Sequence, residues 1–386
     1  MRRETLTRNA DRPVAVQLIS TGGFYGAERT LLELATFLRD QGWDSRIVVL
    51  EGNGAGEMTR RAADNGIACQ AFVTSGRLGV LPMLRRLRGT LAQESRAVIH
   101  SHGYKPDILL AALGVPRRLP CLATCHSWYS TTAKLKALEY LDKRAVRRFD
   151  HVVAVSDEIY RDLRASGMPD ARVSRIDNAI SIPVLDTHDR NKIRAEWNVA
   201  PGEKLVVQIG RLAKSKRNAL LLKVVADLPA DIAVRVVLVG DGEEREALGA
   251  YARELKIDGR VIFAGYRRNA PAIMAAADVL AITSNQEGLP IVILEAMAVG
   301  CPIITTAVGA IPQVLSGKSA WIIPVDDDAA LMQALREALG KTSAATDRAA
   351  QAKSVFLGSY ERDVMGQRYL DLYESAWRAR TVSSVG

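Results

Sequence analysis

No run of about eighteen uninterrupted apolar residues occurs in the 386-residue sequence, so no helix able to cross a bilayer is expected. The opening MRRETLTRNADR is basic but has no apolar segment behind it, so residues 1–12 are expected to be a polar tail and not a secretory signal. Cysteine is scarce. Cys69, Cys121, Cys125 and Cys301 sit in apolar, strand-like surroundings with no framework spacing, which excludes a disulfide scaffold and suits reduced thiols in the cytoplasm. A phosphate-binding P-loop is lacking as well, because SGKSA (316–320) has Pro312 where that loop needs its first glycine. Metal-ligand spacing is also missing. His100 and His102 share one strand face and Cys125 adjoins His126, yet these intervals match no zinc pattern, and the acidic VDDD before a helical stretch suits helix capping. No metal and no cofactor are therefore expected. Aromatic residues make up 5% of the chain, with neither an aromatic-rich RNA-binding strand nor a recognition-helix pattern. The net charge of +9 suits an anionic partner such as nucleotide, membrane surface or nucleic acid. A basic nucleic-acid-binding module thus has charge alone to support it, and nucleic acid is not expected as a partner.

What is present is an α/β rhythm. With 48% hydrophobic and 25% charged residues the chain is a globular protein, too long for one ordinary core. Short β-branched runs recur at 14–20, 46–50, 97–102, 121–125 and 151–156. They restart at 204–210, 234–240, 260–265, 278–283, 302–306 and 320–324. Helical stripes lie between them, such as Leu31, Leu34, Ala35 and Leu38. Strands apolar on both faces and alternating with helices mean parallel sheets covered on both sides. The expected fold is α/β, with two Rossmann-like doubly wound domains facing a central cleft. The expected domains are 13–183, 184–365 and a C-terminal helix over 366–386 that packs back on the first. Ligands of such sheets bind at the carboxyl ends of the strands.

Two segments carry chemistry. IGRLAKSKRN (209–218) leaves a strand at Gly210 and projects Arg211 and Lys216 where an anion would be held. EGLPIVILEAMAVG (287–300) brackets an apolar helix with two acids, Glu287 before it and Glu295 within it. Pro290 suits the start of that helix, whose free N–H groups around Leu289 to Val292 favour an anion, and Gly288, Leu289, Pro290 and Ile291 are candidate donor-binding residues. Carboxylates accept from hydroxyl pairs while amides and cations take phosphate. A nucleotide-diphospho-sugar has both.

The ordered set TGGFYGAERTLLELATFLRDQGWDSRIVVL, HVVAVSDEI, IGRLAKSK, VGDGEER, FAGYRR and SNQEGLPIVILEAMAVGCPIITTAVG resembles a retaining glycosyltransferase of the GT-B fold, family four, with its E-x7-E motif. The resemblance implies that Glu287 holds hydroxyls of the donor sugar, Glu295 the ribose, and Arg211 and Lys216 the departing diphosphate. It implies that Gly23 approaches the phosphates, that Tyr266 and Arg267 lie beside the nucleobase, and that His126 borders the transferred sugar. It implies, too, that the acceptor hydroxyl attacks on the face the diphosphate leaves, with a leaving-group oxygen taking the proton and no essential metal. A nucleotide-sugar epimerase of the same shape is the nearest alternative. The chain departs from the family pattern at Arg217, where glycine is usual, at NAIS (178–181), and at Gln313, where glutamate is common.

Two basic helical stretches complete the reading. Arg85, Arg86 and Arg88, with Lys143, Arg144 and Arg147, lie beside leucines and are candidates for contact with anionic lipid. The partners expected are a nucleotide-sugar donor, a glycan or lipid-linked acceptor, and the inner face of the cytoplasmic membrane.

Overall fold

The computed structural model describes residues 13–382 apart from 22, 25, 51–54, 73–84, 86, 91–96, 127–132, 186–188 and 341–342. The 1–12 tail and Arg86 lie outside the described residues. The chain divides into two compact units, one running to Ile180 and resuming at Arg362, the other Ser181–Glu361.

In the first unit seven strands form one sheet: β1 Val14–Ile19, β2 Asp44–Leu50, β3 Ala68–Phe72, β4 Ala97–His102, β5 Cys121–Cys125, β6 His151–Ala154 and β7 Val173–Arg175. Every pairing is parallel and the order is β3-β2-β1-β4-β5-β6-β7. The order reverses between β1 and β4, where Ile19 stands opposite His102. Neither β3 nor β7 is signalled by the apolar runs. ACQAF and VSR are edge strands whose residues are mostly half-buried, so burial on one side suffices and alternation is lost.

The helix Arg362–Val382 belongs to this unit. Met365, Tyr369, Leu370, Tyr373 and Ala376 are buried along one stripe, joining Leu34, Phe37 and Leu38 of the helix Gly26–Asp40 in a shared cluster. A Cβ at Gly366 would stand 2.3 Å from the Phe37 ring, so glycine is what lets these two helices approach so closely.

In the second unit six parallel strands follow the order β10-β9-β8-β11-β12-β13. They are β8 Lys204–Ile209, β9 Val234–Val239, β10 Val261–Gly265, β11 Val279–Ile282, β12 Ile303–Thr306 and β13 Trp321–Ile323. The order reverses between β8 and β11. The helix Asp189–Glu196 precedes β8. It is tied within the second unit by Arg194, whose Nη1 donates to Ala276 O at 3.1 Å and pairs with Asp278 at 3.1 Å. No described helix is long and apolar enough to cross a membrane.

Candidate active site

In an open parallel sheet the loops leaving two strands at the reversal point diverge and leave a crevice at their carboxyl ends. In the second unit that point lies between β8, which runs into GRLAKSK, and β11, which runs into SNQEGLP. Gly210 leaves β8 at φ +154°, and Lys214–Lys216 form a single 3-10 turn ended by Arg217 at φ +52°. The loop after β11 is laced to this turn. Thr283 Oγ1 donates to Lys216 O at 2.9 Å and Arg217 O at 3.1 Å, and Asn285 N donates to Ser215 O at 3.0 Å. Thr306 Oγ1, from β12, donates to Ser284 O at 2.5 Å.

The result is one charge pair. Lys216 Nζ donates to Glu287 Oε1, and Ser284 Oγ donates to the same oxygen at 2.7 Å. Both side chains are largely covered, with 22% of Lys216 and 11% of Glu287 exposed, so the pair is held where water screens it weakly. Gly309 supports the arrangement from below: a Cβ there would lie 2.1 Å from Glu287 O, and the next residue, Ala310, donates its N–H to Gly288 O at 3.1 Å. Gly240 does the same for the other loop, since its Cβ would fall 2.0 Å from Gly210 O. Both glycines stand in quoted motifs, VGDGEER and TTAVG, but a close approach between loops is invisible until the loops are placed.

The helix after Glu287 is Ile291–Val299, with Pro290 at its N-cap and Gly300 at φ +71° closing it. Pro290 therefore stands one position outside the helix. Ile293 to Ala298 are all buried, because the helix packs on both Ala270–Ala276 and Ala344–Ser359. That explains a helix apolar all round. Glu295, 7% exposed, is the one acid in this stretch. Gly288, Leu289 and Ile291 lie in the exposed or half-buried start of the segment.

Other predicted residues are held elsewhere. Arg211 is 73% exposed along its side chain and pairs with Glu243 at 3.1 Å, not with Glu287. Arg267 pairs with Glu196 at 2.5 Å and donates to Ala264 O at 3.2 Å. Tyr266, just past β10, is 71% exposed. In the first unit Gly23 N donates to Thr21 Oγ1 at 3.0 Å in the loop after β1.

His126 directly follows β5, beside two more histidines. His102 Nδ1 is 3.1 Å from His126 Nε2, and the rings of His100 and His102 are 4.2 Å apart at their centroids. His100 reaches Tyr373 OH at 2.9 Å and Thr124 Oγ1 at 2.8 Å, and Thr124 reaches Tyr369 OH at 2.9 Å. Burial lowers His126 to about 4, while burial and then the charge of His126 lower His100 to about 3. His102 falls well below the usual histidine range for the same first reason. All three are neutral at pH 7. On the other face of β4 and β5, Asp107, Asp142 and Cys125 converge in the interior. Burial, then the neighbouring Asp142, raises the Asp107 carboxyl well above its usual range.

Of the basic residues proposed for lipid contact, Arg85 and Arg88 are exposed. Lys143 is engaged by Glu139 at 2.7 Å and Asp162 at 3.8 Å, and Arg147 donates to Ser166 O. Arg144 lies over the Tyr140 ring.

Residues 24–182 match the family model described as Glycosyltransferase Family 4, and residues 189–355 match Glycosyl transferases group 1. The N-acetyl-alpha-D-glucosaminyl L-malate synthase of Bacillus anthracis is 26% identical over 252 residues, 64% of this chain and 66% of that protein. The lipopolysaccharide core biosynthesis glycosyltransferase LpsE of Rhizobium meliloti is 31% identical over 184 residues, 47% of this chain and 53% of that protein. The chain thus spans less than two thirds of the length of these curated relatives. The crystal structure of Anabaena Alr3699/HepE in complex with UDP superposes with a TM-score of 0.81 at 22% identity, over 94% of this chain and 100% of that one. The same protein with UDP-glucose gives 0.79 at 22% identity, again over 94% and 100%.

Proposed function

From the premise that the chain belongs to the glycosyltransferases of the GT-B fold, we propose that it moves a sugar from a nucleotide-diphospho-sugar to an acceptor hydroxyl with retention at the anomeric carbon. The observation that carries this reading is the Lys216–Glu287 pair at the β8/β11 reversal. A donor with sugar hydroxyls next to a diphosphate separates the two charges usefully: the hydroxyls donate to Glu287 and the phosphate oxygens accept from Lys216. The complexes of HepE with UDP and UDP-glucose support a donor of this class. In the step itself the bond from the anomeric carbon to the diphosphate oxygen breaks and a bond to the acceptor oxygen forms. The acceptor's proton passes to the departing phosphate. Negative charge builds on the diphosphate, and a preplaced ammonium stabilises it without reorganising water. Glu295, covered on its helix, would accept from the ribose hydroxyls. No metal is assigned a part. The test is a thermal-shift panel of nucleoside diphosphates and nucleotide sugars, followed by hydrolysis of the best ligand. A rise in Tm with one or more diphosphates is expected; no shift with any of them sinks the reading.

We further propose that the acceptor is lipid-linked and met at an anionic membrane surface. The helix Ala133–Ala145 exposes Tyr140 and Leu141, 61% and 48%, on the side that carries Lys134, Lys136 and Arg144. An apolar ridge flanked by cations suits the headgroup boundary. Co-sedimentation with phosphatidylglycerol vesicles should exceed that with phosphatidylcholine and fall in a Tyr140→Ser, Leu141→Ser double variant. Equal binding by the variant would remove this surface from consideration.

A further inference from the structure

Glu287 has two carboxylate oxygens, and their surroundings differ. Lys216 Nζ and Ser284 Oγ both donate to Oε1, Ser284 at 2.7 Å. Oε2 has no donor among the described residues, yet it is not a buried atom. Each oxygen of an ionised carboxylate accepts about two hydrogen bonds. Oε1 is therefore filled, and a ligand hydroxyl must come to Oε2.

The two donors on Oε1 are not equivalent. The Lys216 ammonium is the group that a diphosphate would draw away, because phosphate oxygens compete with Glu287 for it. Ser284 cannot follow. It lies just past β11, is 1% exposed, and its carbonyl accepts from Thr306 Oγ1 at 2.5 Å. The next N–H, that of Asn285, donates to Ser215 O at 3.0 Å. Beyond Glu287, Gly288 O accepts from Ala310 N at 3.1 Å. The backbone of this turn is thus tied on both sides of Glu287, and the glutamate side chain is what remains to be fixed. Without a partner on Oε1 it would regain the rotamer freedom of a long side chain.

We propose that Ser284 is a positioning residue: its hydroxyl holds the Glu287 carboxylate by Oε1 once Lys216 has turned to the diphosphate, so that Oε2 meets a hydroxyl of the donor sugar. The contact with sugar rests on the proposed function; the hold of Ser284 on Glu287 does not. Their tests separate accordingly. Ser284→Ala removes the hydroxyl, whereas Ser284→Cys fills nearly the same space with an S–H that donates only weakly. In urea, Ser284→Ala should lower the unfolding midpoint, and adding it to Glu287→Ala should lower the midpoint no further. Losses that simply add would show that Ser284 acts without Glu287, and the proposal would fail.

With the best nucleotide sugar, Ser284→Ala and Ser284→Cys should each lower kcat about tenfold, the scale of one hydrogen bond to a charged group. Added to Glu287→Ala, the Ser284→Ala change should cost less than about twofold more. Affinity of Ser284→Ala for the matching nucleoside diphosphate should stay within about twofold, since the phosphates engage Lys216 and not Glu287. A cysteine variant as fast as the unaltered protein would mean that the side chain only fills space, and would overturn the assignment. So would a loss of diphosphate affinity as large as the loss of rate, or an undiminished cost of Ser284→Ala where Glu287 is already absent. Should the unaltered protein turn over no nucleotide sugar, the proposed function falls, while the urea measurements still decide whether Ser284 holds Glu287.

Discussion

Lys216 and Glu287 stand 71 positions apart in the chain and share a hydrogen bond in the fold. Glu287→Ala leaves the ammonium without its carboxylate in a poorly hydrated place, and Lys216→Ala does the reverse. Each should keep the fold, as the loops around them remain tied by Thr283, Asn285 and Thr306. Each should lower the rate of transfer or hydrolysis about 10²-fold, the usual scale for lost transition-state electrostatics. Near-full rates in both variants would remove the pair from the site.

Arg217 gives a second residue-scale prediction. It adopts φ +52°, where a side chain costs about 1 kcal/mol or more relative to glycine. Its guanidinium pairs with Asp326, but both side chains are more than 40% exposed, so the pair offsets little. Arg217→Gly should therefore be more stable to urea than Arg217→Ala by about 1 kcal/mol, against the usual order in which glycine is the worse residue near a helix. Equal midpoints would mean that the turn relaxes to suit alanine.

At the scale of elements, the contact between the helices Gly26–Asp40 and Arg362–Val382 depends on the missing side chain of Gly366. Gly366→Ala puts a methyl group against the Phe37 ring and forces the helices apart. The cost should be about 1–3 kcal/mol, the range for overpacked cores, in spite of alanine's better helix propensity. Denaturant unfolding and amide exchange in the C-terminal helix would both report it; unchanged protection there would mean that Phe37 swings aside freely. The two reversal points are also element-scale facts. Each is created by which strand neighbours which, and each collects loop residues that no local pattern joins.

On the scale of the whole molecule, titration is unevenly distributed. Every described histidine belongs to the first unit, where burial lowers His100 to about 3 and His126 and His151 to about 4. Unfolded histidine binds its proton near pH 6.5. Below that pH the unfolded chain therefore holds more protons than the folded one, and stability falls as pH falls. The loss begins near pH 6.5 and continues until the folded histidines themselves protonate, near pH 4 for His126 and pH 3 for His100. Exchange protection in β4 and β5, corrected for intrinsic rates, should drop between pH 7 and pH 5 while β8 and β9 hold theirs. His100→Gln should flatten the dependence. An equal decline in both units would assign the acid sensitivity to carboxylates.

How much of this was legible beforehand follows from the range of the forces involved. Buried parallel strands must be apolar on both faces, so eleven of the thirteen described strands and the repeated α/β layout can be read from composition along the chain. The edge strands β3 and β7 escape because half-burial leaves no such signature. Glu287, Glu295 and Lys216 stand out because a charge flanking or interrupting apolar sequence needs a reason. That Lys216 meets Glu287 while Arg211 meets Glu243 could not be read, since charged side chains choose partners by proximity across loops. The same holds for Gly309 under Glu287, for Gly366 against Phe37, and for His102 beside His126. Local chemistry decided which segments must be strands, helices and charged turns. Only the packing of distant segments decided which atoms touch, because hydrogen bonds and van der Waals contacts act over a few ångströms in space and take no account of distance along the chain.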